Sequence, residues 1–212
     1  MIILPMRIEI AVYAGFDEVD AIGPFEVLSN VTVAHPEVEV ELVGAHGPGE
    51  VVGGHGLRVQ CAEALSEAAD LAIIPGGGWV RGGGVRDQFE DGRLARRLRE
   101  LHDGGVAMAS VCTGGILLAQ AGLLDGRPAT THRAALDGIG ALGTDIEVDY
   151  DARVVDDGDV LTCGGVTSGL DLAFHLVERD WGAELAEKIA TLMEHERRGP
   201  VRVTERARGA RT

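Results

Sequence analysis

The feature that most constrains the fold is the stretch at residues 106–121, where an apolar run stops at a cysteine and a helix-forming segment starts directly after it. This order is the outline of a nucleophile elbow, whose strained turn only small neighbours permit. Cys112 has such neighbours in Ser110, Gly114 and Gly115. An elbow points its side chain outward, and a helix N-terminus favours thiolate over thiol. The pattern therefore predicts a reactive cysteine, with a buried structural cysteine as the alternative.

Length and composition fit one α/β domain with a buried core, since 45% of the 212 residues are hydrophobic. We expect a single domain over residues 1–197 and a basic, flexible C-terminal tail over residues 198–212. A net charge of −15 opposes binding to nucleic acid or an anionic membrane. The three cysteines are widely spaced, so neither a disulfide framework nor a metal site is predicted. With no 18-residue apolar run, we expect a cytoplasmic protein.

Strand-like and helix-like segments alternate along most of the chain. The residues predict strands at 7–13, 37–44, 69–74, 129–132 and 160–163, and helices at 62–69, 87–102, 113–121 and 168–195, with a further helix that has Pro24 near its first turn. Residues 51–60 resemble a small hairpin, and the alternating segment at 37–44 is expected nearer the sheet edge. The alternation predicts a mostly parallel sheet covered by helices on both faces.

Three segments are expected to meet beyond the carboxyl ends of the strands, where open α/β sheets bind ligands. They are the loop that carries Asp20, the glycine turn after Ile74, and Cys112. Glycines leave backbone N–H groups unobstructed. We therefore predict that Gly77 or Gly78 supplies one oxyanion donor and that the Thr113 N–H supplies another.

A thiolate needs an orienting or proton-carrying partner, and Asp20 is the first choice. It lies shortly before Pro24, so it is predicted to cap a helix while its carboxylate faces the crevice; a purely capping or solvated carboxylate is the alternative. His132 would end a short strand after the elbow. Either it completes a Cys–His pair or it is a packed, hydrogen-bonded residue, and the sequence leaves both open.

Cys163 is followed by two glycines, much as Cys112 is followed by Thr-Gly-Gly, and this makes it a rival elbow. The sequence delivers no obvious acid or histidine to Cys163. A core role is therefore favoured for it.

Five motifs together resemble the ThiJ/PfpI superfamily, which is related to class I glutamine amidotransferases. They are Asp20-Ala-Ile-Gly-Pro, Ile74-Pro-Gly-Gly-Gly, Ser110-Val-Cys-Thr-Gly-Gly, Leu123-Leu-Asp-Gly-Arg-Pro-Ala-Thr-Thr-His and Thr167-Ser-Gly-Leu-Asp-Leu. The resemblance covers about residues 6–195 and implies a flavodoxin-like three-layer sandwich, a homodimer and a reactive cysteine without metal or cofactor. The first and third motifs are similar to isonitrile hydratases and to the sensor domains of some AraC-type regulators.

By the isonitrile hydratase pattern, Cys112 would be the nucleophile, Asp20 the group that handles protons, and Thr113 the residue that helps to position the cysteine. Where that family often has an aromatic residue after the histidine, this chain has Arg133. The leading hypothesis is thus a lyase that adds water to an isonitrile, a small electrophile, and releases an N-substituted formamide. The alternatives are a glutathione-independent glyoxalase acting on small aldehydes and a non-enzymatic cysteine-based sensor.

Overall fold

The computed structural model describes residues 6–209, which form an α/β sandwich around one large sheet. The strands are β1 (Met6–Val12), β2 (Val38–Gly44), β3 (Gly49–Val52), β4 (Arg58–Cys61), β5 (Leu71–Ile74), β6 (Ala107–Ser110), β7 (Pro128–Ala129), β8 (Glu147–Val148), β9 (Val154–Asp156), β10 (Val160–Cys163) and β11 (Val201–Val203). The central sheet has seven strands in the order β11-β9-β10-β6-β5-β1-β2. All its neighbours are parallel except β9 and β10. The predicted mostly parallel sheet is therefore confirmed.

Helices cover both faces of this sheet. They are α1 (Glu18–Ser29), α2 (Val85–Asp91), α3 (Arg93–Asp103), α4 (Gly114–Gln120), α5 (Leu136–Ile139), α6 (Ser168–Trp181), α7 (Ala183–Leu192) and α8 (Glu205–Gly209), with 3₁₀ turns at Asn30–Val33 and Arg133–Ala135. In one group α6 contacts both α1 and α7, and in a second group α2, α3 and α4 contact one another. The result is the three-layer sandwich that the sequence predicts.

Burial explains why β5, the strand before the glycine turn, is apolar throughout. β5 lies between β1 and β6 in the middle of the sheet, and all four of its residues are buried. On α3, a stripe formed by Leu94, Leu98 and Leu101 faces the core. Each such leucine contributes roughly 1.5–3 kcal/mol of burial free energy. β2, with its alternating sequence, lies at the edge of the sheet as predicted.

Three predicted helices differ in the structure. Residues 62–69 form no helix, because backbone groups there bond to the end of β2: Gly44 N–H donates to the Glu63 carbonyl, and Leu65 N–H donates to the Gly44 carbonyl. The helix predicted at 87–102 is divided into α2 and α3 at Gly92, whose left-handed φ of 69° ends one helix before the next begins. The long C-terminal helix is likewise divided at Gly182, where a bend was expected.

Three boundaries are also corrected. Pro24 lies inside α1 and not in its first turn, because the helix already begins at Glu18. The strand predicted at 129–132 is only Pro128–Ala129, which pairs with β8 outside the central sheet. Part of the segment predicted as a basic tail is paired into the sheet, since Val201–Val203 form an edge strand parallel to β9. Arg206 bonds to the buried Asp157 and holds α8 in place.

Candidate active site

The turn between β6 and α4 has the geometry of an elbow at Cys112. This residue has a left-handed backbone with φ 58°, which is uncommon outside glycine and persists only where the surroundings hold it. Its N–H donates to the Gly164 carbonyl at 3.0 Å, and its carbonyl accepts from the Thr131 hydroxyl at 2.6 Å. Immediately afterwards Gly114 passes so close to β5 that a Cβ would overlap the Ile74 carbonyl oxygen. The structure thus contains the strand–cysteine–helix turn that the sequence predicts.

Asp20 points into the protein beneath this turn. Its side chain is fully buried, and its Oδ2 accepts the Gly76 N–H at 2.9 Å. Its other oxygen, Oδ1, is buried and has no hydrogen-bond partner of good geometry within residues 6–209. The prediction that Asp20 caps α1 is wrong: the N-cap is Asp17, whose Oδ1 accepts the Val19 N–H at 3.2 Å. Because another residue caps the helix, the Asp20 carboxyl is available to the site.

The carboxyl and the thiol form an interacting pair. Burial raises the pKa of Asp20 to about 7, with a further contribution from the Asp17 charge; the Gly76 N–H and the Cys112 thiol act in the opposite direction. Burial and the Asp20 charge raise the pKa of Cys112 to about 12. The expectation of a resting thiolate is therefore not met. Cys112 is only 6% exposed, so burial and the neighbouring carboxylate both oppose a negative charge on its sulfur.

The sulfur is nevertheless provided with hydrogen-bond donors. The backbone N–H groups of Thr113 and Val166 both bond to it and lower the pKa of the thiol, although by less than burial raises it. Thr113 was predicted as a backbone donor, whereas Val166 was missed. The missed pattern is the second strand-to-glycine turn, after Cys163, where Val166 has a left-handed φ of 48°. The turn after Cys163 therefore contributes a backbone N–H group to the site, whereas the Cys163 side chain is buried in the core.

The glycine turn after β5 is hydrogen-bonded to Thr113, and this leaves only one of the two predicted glycine donors, Gly77 and Gly78, without that partner. The Thr113 hydroxyl donates to the Gly77 carbonyl at 2.9 Å, and the Gly77 N–H donates back to the same hydroxyl at 3.0 Å. The Gly77 N–H is thereby occupied, so the prediction that it is an oxyanion donor is not supported. Gly78 lines the cavity above Cys112.

His132 reaches the same cavity from the other side. Its Nδ1 accepts the Ala134 N–H at 3.1 Å, so a neutral ring carries its proton on Nε2. No hydrogen bond in the described part of the chain joins the ring to Cys112. His132 is therefore placed at the wall of the cavity and not in a Cys–His pair.

The rival elbow cysteine lies in the core. Cys163 is fully buried, and burial raises the pKa of its thiol well above the usual value. The prediction of a core role for this residue agrees with the structure.

A cavity of about 460 Å³ opens above the Cys112 sulfur. Its wall contains Asp17, the loop of Trp79, Val80 and Arg81, and the residues Ala134, Ala135 and Val166. This space accommodates a small organic molecule with an apolar body. Between residues 6 and 209, no cluster of three or more histidine, cysteine or acidic side chains is arranged to hold a metal ion. Within the same range, no helix is long and apolar enough to cross a membrane.

The family model described as DJ-1/PfpI matches residues 6–179. The chain belongs to the DJ-1/PfpI family. Among its relatives in this family, an isonitrile hydratase of Pseudomonas putida is 30% identical over 194 residues, covering 91% of this chain and 79% of that protein. The transcriptional regulator CdhR of Pseudomonas aeruginosa is 28% identical over 183 residues. That match covers 83% of this chain but 51% of the regulator, so the chain spans about half of its length.

Solved structures of the family share the fold. A ThiJ/PfpI family protein from Pseudomonas syringae superimposes with a TM-score of 0.79 at 24% identity, covering 92% of this chain and 77% of that one. Drosophila melanogaster DJ-1beta gives a TM-score of 0.77 at 20% identity, covering 91% of this chain and all of that one. At these identities the likeness establishes the fold alone.

Proposed function

We propose that this protein hydrates isonitriles to N-substituted formamides, with Cys112 as the nucleophile and Asp20 as the acid–base group. The observation that carries the proposal is the buried pair itself: a carboxyl with a pKa of about 7 interacts with an elbow thiol at the base of a small cavity. A group with a pKa near the working pH can both accept and donate a proton. The similarity to the Pseudomonas putida isonitrile hydratase supports this reaction.

In the first half of the reaction, the Asp20 carboxylate takes the thiol proton as the sulfur attacks the terminal carbon of the isonitrile. A C–S bond forms, and the same carbon then receives the proton from the Asp20 carboxyl. The product is a thioimidate, R–N=CH–S–Cys112, which contains all atoms of the isonitrile and the thiol. Transfer of the proton to Asp20 removes the carboxylate charge that opposes the thiolate, while the Thr113 and Val166 N–H groups stabilise the sulfur.

In the second half, Asp20 takes a proton from a water molecule, and the hydroxide adds to the thioimidate carbon. The imidate nitrogen receives a proton from Asp20, giving a tetrahedral carbon that bears OH, NHR and S. Collapse breaks the C–S bond, and the hydroxyl proton returns through Asp20 to the leaving sulfur. One water is consumed and one formamide, R–NH–CHO, is released, with the thiol restored.

The test is turnover of cyclohexyl isonitrile by the purified protein, followed as formamide by chromatography. Cys112→Ala should abolish formamide formation, and Asp20→Asn should reduce it by at least about 10²-fold, because a general acid–base group contributes that much. Absence of formamide from a folded wild-type protein would contradict the proposal. Loss of methylglyoxal without added glutathione would then indicate the glyoxalase reaction. Sulfinate at Cys112 without turnover of either compound would indicate a sensor.

We further propose that the protein works as a homodimer in a reducing cytoplasm. Support for the compartment comes from Cys61, Cys112 and Cys163, which are all free thiols. Support for the dimer comes from the position of β2 at the edge of the sheet, because sheet edges are common sites of pairing between chains. Light scattering at micromolar concentration should return twice the monomer mass, and a monomer mass would refute the dimer.

A further inference from the structure

Two cavities adjoin at the mouth of the candidate active site. The first, above Cys112, and a second of about 460 Å³ share the residues Asp17, Gly77, Gly78 and Arg81. The rest of the second cavity is walled by Gly15, by glycine backbone from the turns at residues 53–54 and 82–84, and by His55. A molecule that reacts at Cys112 can extend from the first cavity into the second, and it then passes Arg81.

Arg81 is solvent-exposed and lies on the wall of both cavities. Its side chain makes neither an ion pair nor a hydrogen bond with any other residue between 6 and 209. The neighbouring Arg86, in contrast, donates to the Trp79 carbonyl and pairs with Glu90. His55, the other basic group of the second cavity, is engaged by Glu18 through its ring at 2.7 Å. At the boundary of the two cavities, the Arg81 guanidinium is thus a cation with all its donors available.

We propose that Arg81 selects a substrate whose substituent carries a carboxylate. The proposal rests on the isonitrile hydratase function proposed above and names its substrate class: the isonitrile carbon lies over Cys112 and the carboxylate lies on the Arg81 guanidinium. A planar guanidinium binds a carboxylate through two parallel N–H···O bonds, which fix orientation as well as charge. The apolar wall formed by Trp79, Val80 and Ala135 contacts the segment that joins the two groups.

One negative charge faces the same space. Asp17 lines both cavities, but its Oδ1 accepts the Val19 N–H at the start of α1, where the helix dipole stabilises a carboxylate. Arg81 has no comparable partner. A bound carboxylate would therefore supply the counter-ion that the chain itself does not.

The first experiment measures anion selectivity at Cys112 independently of turnover. The rate constant for alkylation of Cys112 by the anion iodoacetate is divided by that for neutral iodoacetamide, with mass spectrometry of the labelled peptide. Arg81→Gln should lower this ratio about two- to fivefold, the range of an exposed ion pair. Arg81→Lys should retain part of the ratio, because the charge remains while the two-bond contact is lost. Arg96→Gln, which removes an exposed arginine of α3, should leave it unchanged. An unchanged ratio in Arg81→Gln overturns the proposal.

The second experiment compares kcat/KM for an isonitrile that carries a terminal carboxylate with kcat/KM for its methyl ester. The wild type should prefer the carboxylate, and Arg81→Gln should lose this preference. Hydration of both compounds without preference overturns the selectivity while the proposed function stands. Hydration of neither compound, with an alkylation ratio that depends on Arg81, overturns the proposed function while anion selection at this cavity stands.

Discussion

Asp20→Asn should change how the stability of the protein depends on pH. The folded structure raises the pKa of this carboxyl from 3.8 to about 7, chiefly by burial. The folded state therefore binds the proton more tightly than the unfolded state does. The contribution of Asp20 to the free energy of unfolding is greatest below pH 3.8, falls as the pH rises to about 7, and is constant above that.

The size of this effect follows from the two pKa values. A shift of about 3 units at 1.36 kcal/mol per unit gives a loss of about 4 kcal/mol across the window. Asparagine has no proton to lose, so the variant lacks this loss. The difference in unfolding free energy between Asp20→Asn and wild type should rise by about 1.4 kcal/mol per pH unit between about pH 4.5 and pH 6.5. A constant cost from the buried asparagine NH₂ group cancels in this slope.

The measurement is urea unfolding of both proteins at several pH values, with linear extrapolation to water. Cys112→Ala is the matched control, because it removes the thiol but keeps the buried acid; its difference from wild type should change little over the same range. A difference between Asp20→Asn and wild type that does not vary with pH would refute the reasoning. It would mean that the Asp20 carboxyl is solvated and can ionise freely in the folded protein.

Three further predictions concern the elbow and the turn beside it. The rate of Cys112 alkylation by iodoacetamide, plotted against pH, should have its midpoint well above the ordinary thiol pKa of about 8.5, because burial raises the pKa of this thiol. Asp20→Asn should lower that midpoint. A wild-type midpoint below the ordinary thiol pKa would contradict the prediction. Gly76→Ala should abolish formamide formation, because the new Cβ would lie 2.7 Å from both Asp20 Oδ2 and the Thr113 hydroxyl; a fully active variant would show that these groups need not be held together. Thr113→Val should lower the free energy of unfolding by about 1–3 kcal/mol in urea titrations, since it leaves the Gly77 N–H and carbonyl unpaired. Thr113→Ser keeps the hydroxyl and should therefore keep most of the wild-type stability.

Much of the site could be found in the sequence because its key residues are adjacent in the chain to recognisable turns. Cys112 follows an apolar strand and precedes two glycines, and this local pattern alone predicts the elbow. The alternation of strands and helices predicted the parallel sheet and the meeting of Asp20, the glycine turn and Cys112 at one edge. Each segment can be recognised from residues within a few positions of one another, and the common direction of parallel strands then places their carboxyl ends at one edge of the sheet.

The electrostatics of the site could not be read in the same way. The sequence favoured a thiolate from the helix N-terminus, but burial and the Asp20 charge dominate and raise the pKa of the thiol. Whether an acid is buried, and which charges lie beside it, depends on segments far apart in the chain. Tertiary structure decided that Asp17 rather than Asp20 caps α1 and that the Gly77 N–H is occupied by Thr113.

The contrast between local patterns and long-range contacts also explains which secondary structure could be predicted. The apolar run of β5 forms a strand where the sequence places it, and the leucine stripe of α3 lies within the predicted helix, although that helix is divided at Gly92. Residues 62–69 formed no helix because their backbone groups found partners at Gly44, on a strand about twenty residues earlier. The chain alone thus determined where strands, turns and the nucleophile lie. Only the folded structure decided which hydrogen-bond donors remain free, which acid is buried and what charge the cysteine holds, because each depends on neighbours brought in by long-range packing.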